Sequence, residues 1–391
     1  MGGDGVASED ASHNHQVLKV LGALKEASHQ LQRTSSTTDS SNSSIKALLD
    51  LEFLSKSILS SDRQLSGLSS HLSDLKNLIQ TQEISKPRTG LRSFLANRVR
   101  AQEISRVANS IESEIQAWID RENVANLTKT LEEWSDEESL LTQLSQLRNR
   151  LALGFDIDLQ NTLLKSRLIS ELESLLCRTD VSKRVREMVA YSLKEVVLFN
   201  KDVFIGEIRV GQIIKALVSI GSFCALEVLK SLIKAIKSPL VDELESCGGI
   251  NKIINALDSA DMATKIMAVD CLMEVGYYGR KEAIEAMLNG GLIKKLVYLQ
   301  RSELSDLEQG KSDEFVGVEK NRRRRKISVL EGNPFASCVA RFAVQLEIGE
   351  GLRQREKRAF KQEILKRIRE ASISDAEAAT IIAEVLWGSS P

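Results

Sequence analysis

A chain of 391 residues with 42% hydrophobic and 27% charged side chains holds enough apolar material for a sizeable core or one elongated array. Its formal net charge of −1 supplies no sustained positive field, which excludes a protein that coats nucleic acid or an anionic membrane along its whole length. Aromatics make up 4% and there are only four prolines, so a core of Leu, Ile, Val and Ala without strand-like alternation reads as all-α.

Residues 1–44 read as a flexible N-terminal segment: a polar tip, a short helical phrase (Val17, Leu18, Val20, Leu21, Leu24), and a run from Thr34 to Ser44 of Ser, Thr, Asp and Asn alone. The start is acidic and polar, unlike a signal peptide, and Val6 stands where a myristoylation signal wants Ser or Thr. No run approaches the ~20 apolar residues that span a bilayer. A cytoplasmic and/or nuclear protein is expected.

Residues 45–155 are expected to form an N-terminal helical bundle. Leu65, Leu68, Leu72, Leu75 and Ile79 alternate spacings of three and four, which places them on one stripe until Pro87 and Gly90. A second stripe carries Ile104, Val107, Ile111, Ile115 and Trp118, and a third carries Leu140, Leu141, Leu144, Leu147 and Leu151. Short connections favour an intramolecular bundle over a coiled-coil dimer, with self-association through these helices as the rival reading.

Repeats occupy 156–300. Leu168, Leu172, Leu175 and Leu176 share one helix, and Val185, Val189, Tyr191, Leu193, Val196 and Val197 the next. The phrases Cys247-Gly248-Gly249-Ile250 and Asn289-Gly290-Gly291-Leu292 then recur 42 residues apart, with a weaker copy at Val210-Gly211-Gln212-Ile213, the period of a stacked helical repeat. Each unit alone leaves an apolar face exposed, so neighbours must stack. The unit opened by Gly291 is interrupted by a charged insert, 301–332, expected to be disordered.

Within that insert, Ser302 to Glu319 holds six acids against one Lys, and Asn321 to Lys326 reads Asn-Arg-Arg-Arg-Arg-Lys. The cluster Arg322, Arg323, Arg324, Arg325 and Lys326 admits three readings: a solvated loop, a nuclear-localisation signal, or a docking patch for an acidic partner. The acidic stretch would mask it by folding back. Ser328, three residues after Arg325, is a candidate phosphosite, where a phosphate would add about −1.5 to −2 charge beside the arginines.

Residues 333–391 read as a final irregular repeat with C-terminal capping helices: Phe335, Val339, Phe342, Val344 and Leu346, a basic helix from Leu352 to Arg369, and Ile381, Ile382, Val385, Leu386 and Trp387. The basic helix would suit RNA, an acidic protein or a membrane surface, but the polar outer face that any terminal repeat needs is the preferred reading.

Catalytic chemistry finds little purchase. All four histidines, His13, His15, His29 and His71, precede the repeats, so the array has no imidazole for acid–base or zinc chemistry. Phosphate-binding Gly loops and a Gly-x-Ser-x-Gly elbow are absent. The acid pairs Glu132–Glu133 and Glu137–Glu138 read as solvated. Cys177, Cys224, Cys247, Cys271 and Cys338 are odd in number, form no Cys-x-x-Cys, and read as small core residues in a reducing compartment. No catalytic residue, cofactor or metal is expected.

The phrase Gly-Gly-Ile-x-x-Ile-Ile-x-x-Leu from Gly248 to Leu257, the Ala268, Cys271 and Leu272 spacing after it, and Gly290 to Val297 resemble armadillo repeats over Leu163–Leu299, with weaker extension to Leu346. In particular they resemble plant armadillo proteins related to the U-box ubiquitin ligases, whose N-terminal regions hold stretches similar to Leu147–Leu176. The resemblance implies a right-handed stack of about four units with a groove on its third helices, where Lys194, Glu195, Lys230, Lys234 and Glu274 are the candidate polar positions. There is no U-box segment, so ligase activity does not carry over. Trp118, Trp134 and Trp387 lie outside repeats one to three, which departs from the importin pattern. The expected function is a non-catalytic protein-interaction scaffold or adaptor with protein partners and no nucleic acid. Alternatives are an armadillo-type nucleotide exchange factor or co-chaperone, a component of ubiquitin ligation without its own U-box, and an enzyme using an unrecognised site such as Cys177 beside a base.

Overall fold

The computed structural model describes residues 17, 21–26, 65–84, 91–133, 136–310 and 333–387. In chain order the helices are α1 (Ser66–Ile84), α2 (Leu91–Glu133), α3 (Glu137–Ala152), α4 (Ile157–Lys165), α5 (Leu168–Cys177), α6 (Lys183–Phe199), α7 (Lys201–Phe204), α8 (Val210–Ile220) and α9 (Phe223–Ile236). They continue with α10 (Ser238–Ser246), α11 (Gly249–Ala256), α12 (Met262–Tyr278), α13 (Lys281–Asn289), α14 (Leu292–Gly310), α15 (Cys338–Ile348), α16 (Gln354–Ala371) and α17 (Asp375–Trp387). Among the described residues no strand occurs, and no helix is long and apolar enough to cross a membrane. The fold is all-α.

The chain divides into two compact units, Met1–Asn126 with Asp156–Ser166, and Leu127–Phe155 with Arg167–Pro391. In the first, the stripe Leu65, Leu68, Leu72 and Leu75 is buried together with Ala108, Ile111, Ile115 and Trp118 of α2 and with Val17, Leu21 and Leu24. The leucine stripe thus finds its partner surface within the chain. Lys25 donates to Gln116 Oε1 across this core at 2.6 Å. The side chain of Ile79 lies outside the described residues.

The second unit is a helical-repeat solenoid. Its third helices begin at side-chain caps placed in the sequence: Ser182 accepts from Val185 N ahead of α6, Ser222 from Ala225 N ahead of α9, and Asp261 from Thr264 N ahead of α12. Each such cap satisfies an orphan N–H and stabilises its helix by about 1 kcal/mol. The triples α10–α11–α12 and α13–α14–α15 are full repeat units, and α5–α6 and α7–α8–α9 precede them. Third helices pack in succession, α6 on α9, α9 on α12 and α12 on α15, and the second helices α5, α8 and α11 do likewise.

One helix is placed differently from the pattern the sequence suggests. The leucine-rich helix α3, which by periodicity belongs with the bundle, packs on α6 and extends the third-helix series by one rung. Glu137 and Glu138, expected to be solvated, lie at the surface beside that joint, where Ser182 Oγ donates to Glu137 at 2.9 Å and Arg184 pairs with the 72% exposed Glu138 at 2.7 Å. Beyond the insert, α15 packs on α12 and α14, the place of a third helix, while α16 packs on α14 and α17 on α15. On α17, Ile381 and Val385 are buried, while Leu386 and Trp387 are exposed.

The paired glycines also differ from one another. The left-handed residue is the first of the pair at Gly248 (φ 68°) and the second at Gly291 (φ 77°), so the structural period is 43 although the phrases recur at 42. A side chain at either would be strained in that conformation. The cysteines divide as well: Cys271 and Cys338 are buried, Cys224 and Cys247 half-buried, and Cys177 is exposed rather than a core residue.

Candidate interaction face

The third helices of the solenoid carry a series of charged and aromatic side chains that cross from one helix to the next. On α6, Lys194 pairs with its neighbour Glu195 at 3.2 Å, and its Nζ lies 5.0 Å from the Tyr191 ring centroid. The Arg148 guanidinium of α3 lies 4.8 Å from the same ring. Tyr191 donates its hydroxyl to Glu227 of α9 at 2.5 Å. Burial and that hydrogen bond hold the phenol well above the ordinary tyrosine range.

From α9, Lys230 reaches Asp270 of α12 at 2.7 Å and Lys234 reaches Glu274 at 3.0 Å. Asp270 is approached from its other side by Arg341 of α15, at 3.9 Å, and Arg341 also donates to the Pro334 carbonyl at 2.9 Å. A carboxylate is therefore held between cations of the preceding and the following repeat. An open cleft of about 330 Å³ lies over this junction, lined by Lys230 of α9, Asp270, Met273 and Glu274 of α12, and Ala340, Arg341, Val344 and Gln345 of α15. Val344, expected in the apolar set of its helix, is instead 39% exposed at this surface.

Of the candidate groove residues, Lys230, Lys234 and Glu274 come together here, while Lys194 and Glu195 pair with each other on α6. Asp270 was legible, since it precedes Glu274 by four and must share its face. Arg341, Val344 and Gln345 were not, because the insert destroys the repeat register before α15. The basic run Arg322 to Lys326 and Ser328 lie outside the described residues.

Such pairs are adaptable. Lys230 and Asp270 keep 24% and 30% of their side-chain surface, and ion pairs that water still reaches contribute about 1 kcal/mol, so a charged ligand can exchange with either partner. Of the apolar residues lining the cleft, Val344 is exposed, while Met273 and Ala340 are buried.

Chemistry elsewhere is sparse. Beside Cys177 stands Glu173, buried to 2% of its side-chain surface, whose carboxylate accepts from Arg209 N at 2.5 Å and pairs with Arg209 Nε at 2.9 Å. Burial, then Glu173, raise the Cys177 thiol above its ordinary range, the reverse of an activated nucleophile. In the first unit a cleft of about 290 Å³ is lined by His71, Ser110, Ser113, Glu114, Ala117, Arg121 and Asp158, a set that residue spacing gave no reason to group. Among the described residues no group of three or more His, Cys, Asp or Glu is placed to hold a metal ion.

No protein-family model matches the chain, and no curated protein matches it. Among solved structures, it is similar to an engineered protein, 16% identical with 95% of this chain and 98% of that one covered, at a TM-score of 0.41. A second engineered protein is 17% identical, with 68% and 95% covered and a TM-score of 0.42. A designed armadillo repeat protein in complex with the peptide (KR)4 is 18% identical, with 67% and 98% covered and a TM-score of 0.36. The helical-repeat fold of this chain is carried by its own stacked triples and third-helix series.

Proposed function

We propose that this protein is a non-catalytic scaffold that binds an extended protein segment along the third-helix face, centred on the cleft between α9, α12 and α15. The observation that carries the reading is the Lys230–Asp270–Arg341 bridge, which places exchangeable charges from three successive repeats beside the exposed Val344. An extended segment meets that arrangement one repeat at a time, so its side chains are read in order.

Selection of random displayed peptides on the full chain tests this. The chain should enrich peptides with fixed residue types at fixed spacing, and Lys230→Glu with Arg341→Glu should weaken them about tenfold, equivalent to about 1.4 kcal/mol. No enrichment, or equal retention by a charge-reversed protein that melts like the parent, would refute the assignment.

We also propose a cytoplasmic and/or nuclear location, with Arg322 to Lys326 as its signal and Ser328 as the phosphate acceptor that neutralises it. Changing Arg322 to Arg325 to Ala should shift a fluorescent fusion toward the cytosol. An unchanged distribution removes the signal.

A further inference from the structure

One side of α16 ties it into the solenoid. Phe360, Ile364 and Ile368 are buried, Lys357 donates to the Glu347 and Gly349 carbonyls at 2.9 and 2.8 Å, and Arg367 donates to the Leu288 carbonyl and to Asn289. These cations sit at the C-terminal ends of α15 and α13, where the helix dipole favours positive charge.

The other side is different. Arg355, Arg358, Gln362, Lys366 and Arg369 are all exposed and follow one another at spacings of three, four, four and three, so they form one stripe. At 1.5 Å per residue the stripe is about 21 Å long. Among the described residues Arg355, Arg358 and Arg369 make no ion pair, and Lys366 reaches Glu370 at 4.0 Å. Other exposed cations of this unit are either matched, as in Arg184–Glu138, Arg280–Asp242 and Lys237–Glu350 at 2.7 to 3.0 Å, or stand singly on different helices, as do Lys201, Lys215, Lys252 and Lys294. Like charges three apart on a helix repel and weaken it. A helix that needed only a soluble outer face would be served as well by mixed charges.

We propose that this stripe is a docking surface for an acidic protein segment, separate from the third-helix cleft. Its cations fall into two pairs, Arg355 with Arg358 and Lys366 with Arg369, three helical turns or about 16 Å apart, so the matching segment carries two carboxylate clusters at that separation. Three of the four are arginines, whose planar fork meets a carboxylate with two parallel hydrogen bonds. The uncharged member is Gln362, so the stripe offers no ring on which a nucleic-acid base would stack. The apolar face of α16 is spent inside the solenoid, which leaves nothing to insert between lipids.

The test is fluorescence anisotropy of a labelled polyglutamate peptide of about 14 residues, the length that matches the stripe as a helix. The full chain should bind it, with affinity falling as salt screens the charges. Arg355→Glu, Arg358→Glu and Arg369→Glu together should weaken binding by about tenfold or more, the sum of several exposed pairs, while the three Lys replacements largely retain it. If the triple reversal fails to fold, Arg358→Gln alone should still weaken binding measurably. Lys230→Glu with Arg341→Glu should leave this peptide's affinity unchanged, which separates this surface from the cleft. Absent binding, binding indifferent to charge reversal, or tighter binding to oligouridine RNA or to phosphatidylserine-containing vesicles would overturn the proposal.

Discussion

Replacing Phe342 by alanine should lower the stability of the solenoid by about 3–5 kcal/mol, the range for emptying a buried aromatic site. For a unit of this size that loss is a fall in Tm of roughly 6–20 °C. Phe342 is fully buried on α15, and its ring lies against Gly276 of α12, where an added Cβ would come within 3.0 Å of it. The contact spans the joint between the third and fourth repeats, so its removal loosens everything that stacks beyond α12. In a nearest-neighbour array such damage is local. Hydrogen exchange should therefore accelerate in α15, α16 and α17 well before α6 and α9. The contact itself is tested by a double-mutant cycle with Gly276→Ala, which crowds the ring in the parent and meets vacated space in Phe342→Ala. A coupling of about 1 kcal/mol is expected for side chains in direct contact, and a coupling near zero would show that the two do not meet.

Gly351→Ala should destabilise by roughly 3 kcal/mol, the upper part of the range for overpacking, because the group it strikes is backbone and cannot rotate away. A Cβ at Gly351 would lie 2.1 Å from the Gly279 carbonyl oxygen and 2.6 Å from that of Tyr278. Here the link between α15 and α16 crosses the link between α12 and α13, held by hydrogen bonds from Glu350 N and Gly351 N to the Tyr277 carbonyl at 2.8 and 3.2 Å. Lys237 clamps the same crossing through Glu350 at 3.0 Å. The comparison is Gly206→Ala, where the new methyl would meet only the Val203 carbonyl at 3.6 Å. Denaturant midpoints of the two variants should differ clearly. If they fall within about 0.5 kcal/mol of each other, the size of an ordinary surface substitution, the crossing is not as close as it stands.

The two glycine classes show how far a sequence can be read. Gly248 and Gly291 announce themselves, since each precedes an apolar helical phrase and repeats at a helical-repeat period. Gly351 announces nothing, because the chain it must avoid is more than seventy positions away at Gly279. The candidate groove divides in the same way. Lys230, Lys234 and Glu274 sit on third-helix faces by local register, and the cation that completes the cluster, Arg341, follows an insert across which no register survives.

By itself the sequence determined the all-α class and the leucine stripes of both units. These are properties of single segments, because an amphipathic stripe records that a face is buried whatever covers it. Only the tertiary structure decided that α3 serves as a rung beside α6 and that Asp270 bridges cations of two repeats. Apolar burial is non-directional and tolerates many partners, whereas an ion pair or a backbone crossing exists only once distances of a few ångströms are set between segments far apart in the chain.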